Sequence, residues 1–216
     1  MKILGVDPGL TRCGIGVIEA GAARRVDYVD VAVVRSTADM APHRRLEIIA
    51  DGIDEMMGKH SPDVVAVERM FAEDNVRSII STAQVAGVAM LAASRAHLPL
   101  ALYSPSAVKA AVTGDGRAEK RAVQLMVQRI LRLKELPKPP DAADALALAI
   151  THAWRGETID RQGAAQSAQH GGSAMPSESV GMTAAQKAWA QAERTTRMSG
   201  IVAQQMGANA RSARKR

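Results

Sequence analysis

The chain opens with a short apolar run, Lys2 to Val6, that stops on a charge, Asp7. A run of this kind predicts a buried strand, and Pro8-Gly9 breaks it. Residues 14–19 predict a second strand, and the alternation along 26–35 predicts a third. The short turns between them predict an antiparallel meander. Then the period changes. Leu46, Ile49, Ile53 and Met56 or Met57 recur at three- and four-residue steps, so 42–59 predicts an amphipathic helix. Val64–Val67 predicts a fourth strand, which ends at Glu68. Residues 76–97 predict a helix, small and apolar in its middle, and 99–103 a fifth strand. Helices over 105–112, 118–133 and 141–154 follow, the last introduced by Pro137, Pro139 and Pro140. Three meandering strands followed by crossovers imply an α/β fold: a five-stranded mixed sheet with helices on both faces.

Composition divides this picture in two. From about residue 157 the chain turns to Gln, Ser, Gly and Ala. Such a segment cannot bury enough apolar surface to offset its ordering entropy. The expectation is a domain at 1–156 and a flexible, weakly basic tail at 157–216, loosely helical at most around Thr183–Glu193. The net charge of +6 is unevenly spread. Residues 1–156 carry 20 basic and 18 acidic groups, and the remainder 8 and 4, the last of them in Arg211–Arg216. That excess favours polyanionic partners. With aromatics at 2%, the core must be aliphatic. Cys13 is the sole cysteine; it excludes a disulfide framework and a Cys-based zinc site, and it points to the cytosol. The apolar start is too short for a signal peptide or a membrane span.

The candidate chemistry lies in carboxylates. Asp7 and Glu68 each end a predicted strand, where a charge costs several kcal/mol, of order, unless compensated. Asp141 and Asp144 are three apart and share a helix face. Taken singly, Asp141 suits an N-cap and Asp7 a turn. Taken together, and with the first and fourth strands as neighbours, they crowd like charges that only cations make tolerable. Oxygen-only ligation suits Mg²⁺ or Mn²⁺ rather than zinc. The matching chemistry is two-metal phosphoryl hydrolysis.

Four motifs carry a resemblance: Gly5-Val6-Asp7-Pro8-Gly9 with Gly14-Ile15-Gly16, Val67-Glu68-Arg69-Met70-Phe71, Gly114 to Lys120, and Asp141 to His152. In order and spacing over roughly 1–155 they resemble the RuvC family of bacterial Holliday junction resolvases. The resemblance implies an RNase H-like fold and a homodimer acting on four-way junction DNA. It implies Mg²⁺-dependent paired nicks that leave 5′-phosphate and 3′-hydroxyl ends, and cooperation with the RuvA–RuvB branch-migration complex. It also assigns Asp7, Glu68, Asp141 and Asp144 as catalytic acids and metal ligands. Phe71 is implied as the aromatic that inserts at the junction, although a sole Phe otherwise suits the core. Lys109 and Lys120 are implied near the phosphates, although a solvated helix face would also account for them. Arg69 and Arg77 are expected to flank the DNA. The tail departs from the family, which usually stops soon after the last helix.

Other signals carry less. His152 lies eight residues beyond Asp144, too far along a helix to share a ligand with it, and is expected to be structural. His43, His60 and His97 suit helix ends, Cys13 a small buried site, and Gly114-Asp115-Gly116 either a close approach of the backbone to DNA or a simple turn. Asp7-Pro8-Gly9-Leu10-Thr11 also resembles the first phosphate loop of actin-like ATPases and sugar kinases, but the chain has neither their length nor their repeat. A noncatalytic DNA scaffold fits the basic charge, yet four acids would repel phosphate without metal.

Overall fold

The computed structural model describes residues 1–69 and 76–156, the side chains of 76–78 excepted. Phe71, the side chain of Arg77 and the tail at 157–216 lie outside the described residues.

Five strands and five helices follow in the expected order. They are β1 (Lys2–Asp7), β2 (Arg12–Ala20), β3 (Val26–Arg35), α1 (Pro42–His60), β4 (Val64–Glu68), α2 (Val76–Arg95), β5 (Leu100–Tyr103), α3 (Pro105–Thr113), α4 (Lys120–Ile130) and α5 (Pro140–Arg155). The sheet order is β3-β2-β1-β4-β5. β1, β2 and β3 form the antiparallel meander, whereas β4 and β5 add to β1 in parallel through helical crossovers. β1, at the centre, is apolar on both faces from Ile3 to Val6 because helices cover both.

The two faces are packed differently. On one, α1 and α2 set side chains such as Ile49, Ile53 and Val85 against Leu4, Val6 and Ile15. On the other, α3, α4 and α5 cover Ile3, Ile18, Ala66 and Ala101. Here α5 lies almost directly on the sheet backbone. A Cβ at Gly14 would collide with the carbonyl of Asp141, and one at Gly5 with the carbonyl of Ala145. Glycine at these strand positions therefore lets a helix backbone approach a strand backbone. The helix answers with Ala142, Ala143, Ala145, Ala147 and Ala149, all buried.

Two expectations need correction. α5 begins at Pro140 with Pro139 as its N-cap, so Asp141 lies inside the first turn and is not the cap. Proline at the first helical position has no N–H to satisfy, which favours this start. β2 begins at Arg12 rather than Gly14, because Arg12 pairs with Arg35 across the ladder.

Candidate active site

The parallel strands end side by side. Val6 pairs with Val67 and Glu68 with Tyr103, so Asp7 and Glu68 leave the sheet as neighbours. The amide of Arg69 then donates to the carbonyl of Tyr103 at 2.7 Å, fixing the backbone just beyond Glu68. The glycine contact with α5 brings the first turn of that helix to the same edge, and with it Asp141 and Asp144.

Electrostatics report how closely these groups press on one another. The Asp7 carboxyl is pushed up to about 8 by burial, by the negative charges of Glu68, Asp144 and Asp141, and by a hydrogen bond with Glu68. Burial and like charge together make Asp7 hold its proton more tightly than an ordinary carboxyl. Burial also raises Asp144, against the pull of Lys120.

Basic groups share the site. A cleft of about 300 Å³ is lined by Asp7, Glu68 and Asp144 together with Lys109 and Lys120. Lys109 is half-buried on α3, a helix capped by Ser104, whose hydroxyl accepts from the amide of Ala107 at 3.1 Å. Lys120 opens α4, the end of a helix where a cation is least favoured. Asp144 compensates it: the ammonium lies 2.6 Å from Oδ2. Although burial works against its charge, this pairing and the fields of Asp7 and Asp141 hold the Lys120 ammonium above its ordinary range. The loop before α4 is a turn, in which Gly114 takes φ 85° and Asp115 accepts from the amide of Arg117 at 2.8 Å.

Asp141 differs from the other three acids. Its Oδ2 is buried with no hydrogen-bond partner. Arg12 Nε lies 3.4 Å from that oxygen, close enough for charge attraction but without the geometry of a hydrogen bond. Arg12 was not among the residues picked from the sequence. Its signal was an arginine five positions after Asp7, on the strand that returns beside it.

The structure thus gathers Asp7, Glu68, Asp144, Lys109 and Lys120 around one cleft, with Asp141 coupled to Asp7 by charge. Arg69 is exposed beyond Glu68. Among the described residues no three His, Cys, Asp or Glu side chains stand in ready-made metal-ligand geometry. Lys120 is paired with Asp144, and Arg12 lies against Asp141. His152 is structural, as expected: it is buried, and its Nδ1 is 2.9 Å from the Tyr103 hydroxyl. Cys13 is buried beneath the sheet edge.

Comparison with known proteins gives this arrangement a context. The family described as crossover junction endodeoxyribonuclease RuvC matches residues 3–152. The protein of that name from Leifsonia xyli is 50% identical over 198 residues, covering 91% of this chain and 93% of its own. The one from Mycobacterium sp. strain KMS is 54% identical over 166 residues, covering 77% and 90%. Thermus thermophilus RuvC, in its complex with a Holliday junction substrate, superposes with a TM-score of 0.68 at 35% identity, over 72% of this chain and 94% of that one. A match covering 91% of this chain runs past residue 156, so some relatives share sequence beyond α5, whereas the family model ends at residue 152. The chain belongs to the RuvC family of crossover junction endodeoxyribonucleases.

Proposed function

We propose that this protein resolves Holliday junctions by paired, metal-dependent phosphodiester hydrolysis, leaving 5′-phosphate and 3′-hydroxyl ends, in homologous recombination and DNA repair. The observation that carries this reading is a cleft lined by three carboxylates and two lysines, in a chain of the RuvC family. The donor set fits a hard divalent cation. It is all oxygen, it contains a buried oxygen lacking a hydrogen bond on Asp141, and burial together with the charges of Glu68, Asp144 and Asp141 pushes the Asp7 carboxyl up. Asp7, Glu68, Asp141 and Asp144 are the residues that would hold Mg²⁺, two ions per site, with Mn²⁺ able to replace it. Bound there, such ions supply hydroxide from water at neutral pH and offset the charge of the in-line transition state.

The chain's own residues do the rest. Lys109 and Lys120 line the cleft with the carboxylates, where an ammonium can hold the backbone or offset charge on a phosphate oxygen. Asp144 fixes Lys120 in that position. Arg69 and Arg77 bracket the segment after Glu68 and are assigned to the DNA flanks. Phe71, between them, is assigned to stack on a base at the exchange point, a contact of about 1–3 kcal/mol. Paired nicks need two sites. The exposed Ile80, Met90 and Leu91 on α2 support a homodimer through that helix. RuvA–RuvB is the proposed partner that delivers the junction, and the cytoplasm the proposed place of action. No helix among the described residues is long and apolar enough to cross a membrane.

The test is a labelled synthetic four-way junction with Mg²⁺ or EDTA. Wild type is expected to cut in Mg²⁺ alone. Asp7→Asn is expected to bind the junction and to lose cleavage by about a thousandfold or more, an effect of about 4 kcal/mol on the barrier. Asp7→Asn cutting at a wild-type rate, or wild type cutting linear duplex as readily as the junction, would end this reading.

A further inference from the structure

Arg12 has no place in the mechanism above, yet it is the cation beside Asp141. Three observations bear on it. Its Nε is 3.4 Å from the buried Asp141 Oδ2, an oxygen that makes no hydrogen bond. Its side chain is 56% exposed, so it leans over the acid from solvent and is held by little else. It also stands directly opposite Arg35 in the β2–β3 ladder, and both are exposed. Like charges directly opposite on a sheet repel. Arg45 adds a third positive charge, because its guanidinium donates to Ser36 at 2.9 Å and to Thr11 at 2.9 Å, the neighbours of this pair. Exposed Asp39, near Arg45, is the acid that faces this cluster from the loop side. A surplus of arginine beside Asp141 offers donors to phosphate oxygens.

We propose that Arg12 is a built-in counter-ion that competes with the metal for Asp141 and, once displaced, joins Arg35 in binding a backbone phosphate. The inference rests on the metal-dependent reading of the site. Without a divalent ion, Arg12 partly neutralises Asp141. When Asp141 turns to an ion, the guanidinium is released beside an already repelling neighbour, and a phosphate becomes its best partner. Metal binding and DNA binding are thereby coupled through a single side chain.

The experiment separates these roles. Thermal unfolding is followed in Mn²⁺ titrations without DNA, and junction binding by anisotropy over a salt series with Ca²⁺ present. The proteins are wild type, Arg12→Gln, Arg12→Lys and Arg35→Gln. Arg12→Gln removes the competitor, so Mn²⁺ is expected to stabilise it at a concentration roughly two- to fivefold lower than wild type, the range of an exposed ion pair. Its junction binding is expected to weaken, with a salt slope shallower by about 0.9, one phosphate contact. Arg12→Lys is expected to behave as wild type in the Mn²⁺ titration. Arg35→Gln is expected to lose the phosphate contact and leave the Mn²⁺ midpoint unchanged. Equal Mn²⁺ midpoints for wild type and Arg12→Gln, or no Mn²⁺ response in either, overturn the proposal, as does an unaltered salt slope. Wild-type cleavage of the junction in Mg²⁺, run alongside, reports separately on the reading beneath it.

Discussion

The two faces of the sheet solve the same packing problem with different materials. Under α1 and α2 the contact is made by long aliphatic side chains, among them Ile49, Ile53 and Met56. Under α5 it is made by alanines against glycines, with the helix backbone close to the strands. Long side chains can shift rotamers to absorb a change, whereas two backbones in contact cannot. The face that carries Asp141 and Asp144 is the one without slack. The other contributes stability, and its helices hold none of the four acids.

The sharpest way to break this comparison is Gly14→Ala. The added methyl would meet the carbonyl of Asp141, which has no flexible end to retreat. Overpacking of this kind is expected to cost about 3 kcal/mol or more, and cleavage by the folded fraction is expected to fall at least a hundredfold, of order, because the first turn of α5 must move. Chemical denaturation and single-turnover cleavage at low temperature measure the two. Near-wild-type cleavage would show that the acids tolerate a displaced helix.

A pH series in EDTA probes the strained face next. In the unfolded chain Asp7 ionises near its ordinary 3.8, whereas in the folded protein it holds its proton to about 8. The folded state therefore binds more protons between these values, and its stability falls as pH rises from about 4 through 8. The loss is on the order of several kcal/mol by linkage. Asp7→Asn is expected to flatten that decline and to unfold at a higher temperature than wild type at pH 8, the reverse of its effect on cleavage. A parallel decline in both proteins would place the stress elsewhere.

On the opposite face, Ile53→Ala is expected to cost about 2–5 kcal/mol in stability while cleavage per folded molecule stays within about twofold of wild type at a permissive temperature. A hundredfold loss there would erase the contrast. The smallest expected effect is Tyr103→Phe. It keeps the ring and leaves His152 Nδ1 buried without its 2.9 Å partner, costing about 1–3 kcal/mol. The imidazole resonances of His152 would report the lost bond.

Much of this was legible in the chain because the signals were local. Apolar runs ending in Asp7 and Glu68 gave the strands and their termini. The three-residue spacing of Asp141 and Asp144 gave a shared helix face. What escaped the reading depended on partners far away in sequence. Arg12 carries no local signal, because nothing near it in sequence says that Arg35 pairs with it or that Asp141 lies beside it. Asp141 suited an N-cap until Pro140 was seen to take the first helical position. Gly5 and Gly14 read only as strand residues, and nothing local says that they admit the backbone of α5. Phe71 shows the opposite case: its assignment comes from motif resemblance, since its position lies outside the described residues.

The contact between β1 and α5 also bears on how the enzyme is born. Asp7 leaves the ribosome almost at once, whereas Asp141 and Asp144 come some 134 residues later. Neither end can form a competent centre without the other, because the seam that aligns them joins the first strand to the last described helix. A nascent chain or a fragment truncated before α5 carries Asp7 and Glu68 without Asp141 and Asp144. Emergence of α5, about 60 residues before the last one, is the step that brings the four carboxylates to one end of the sheet.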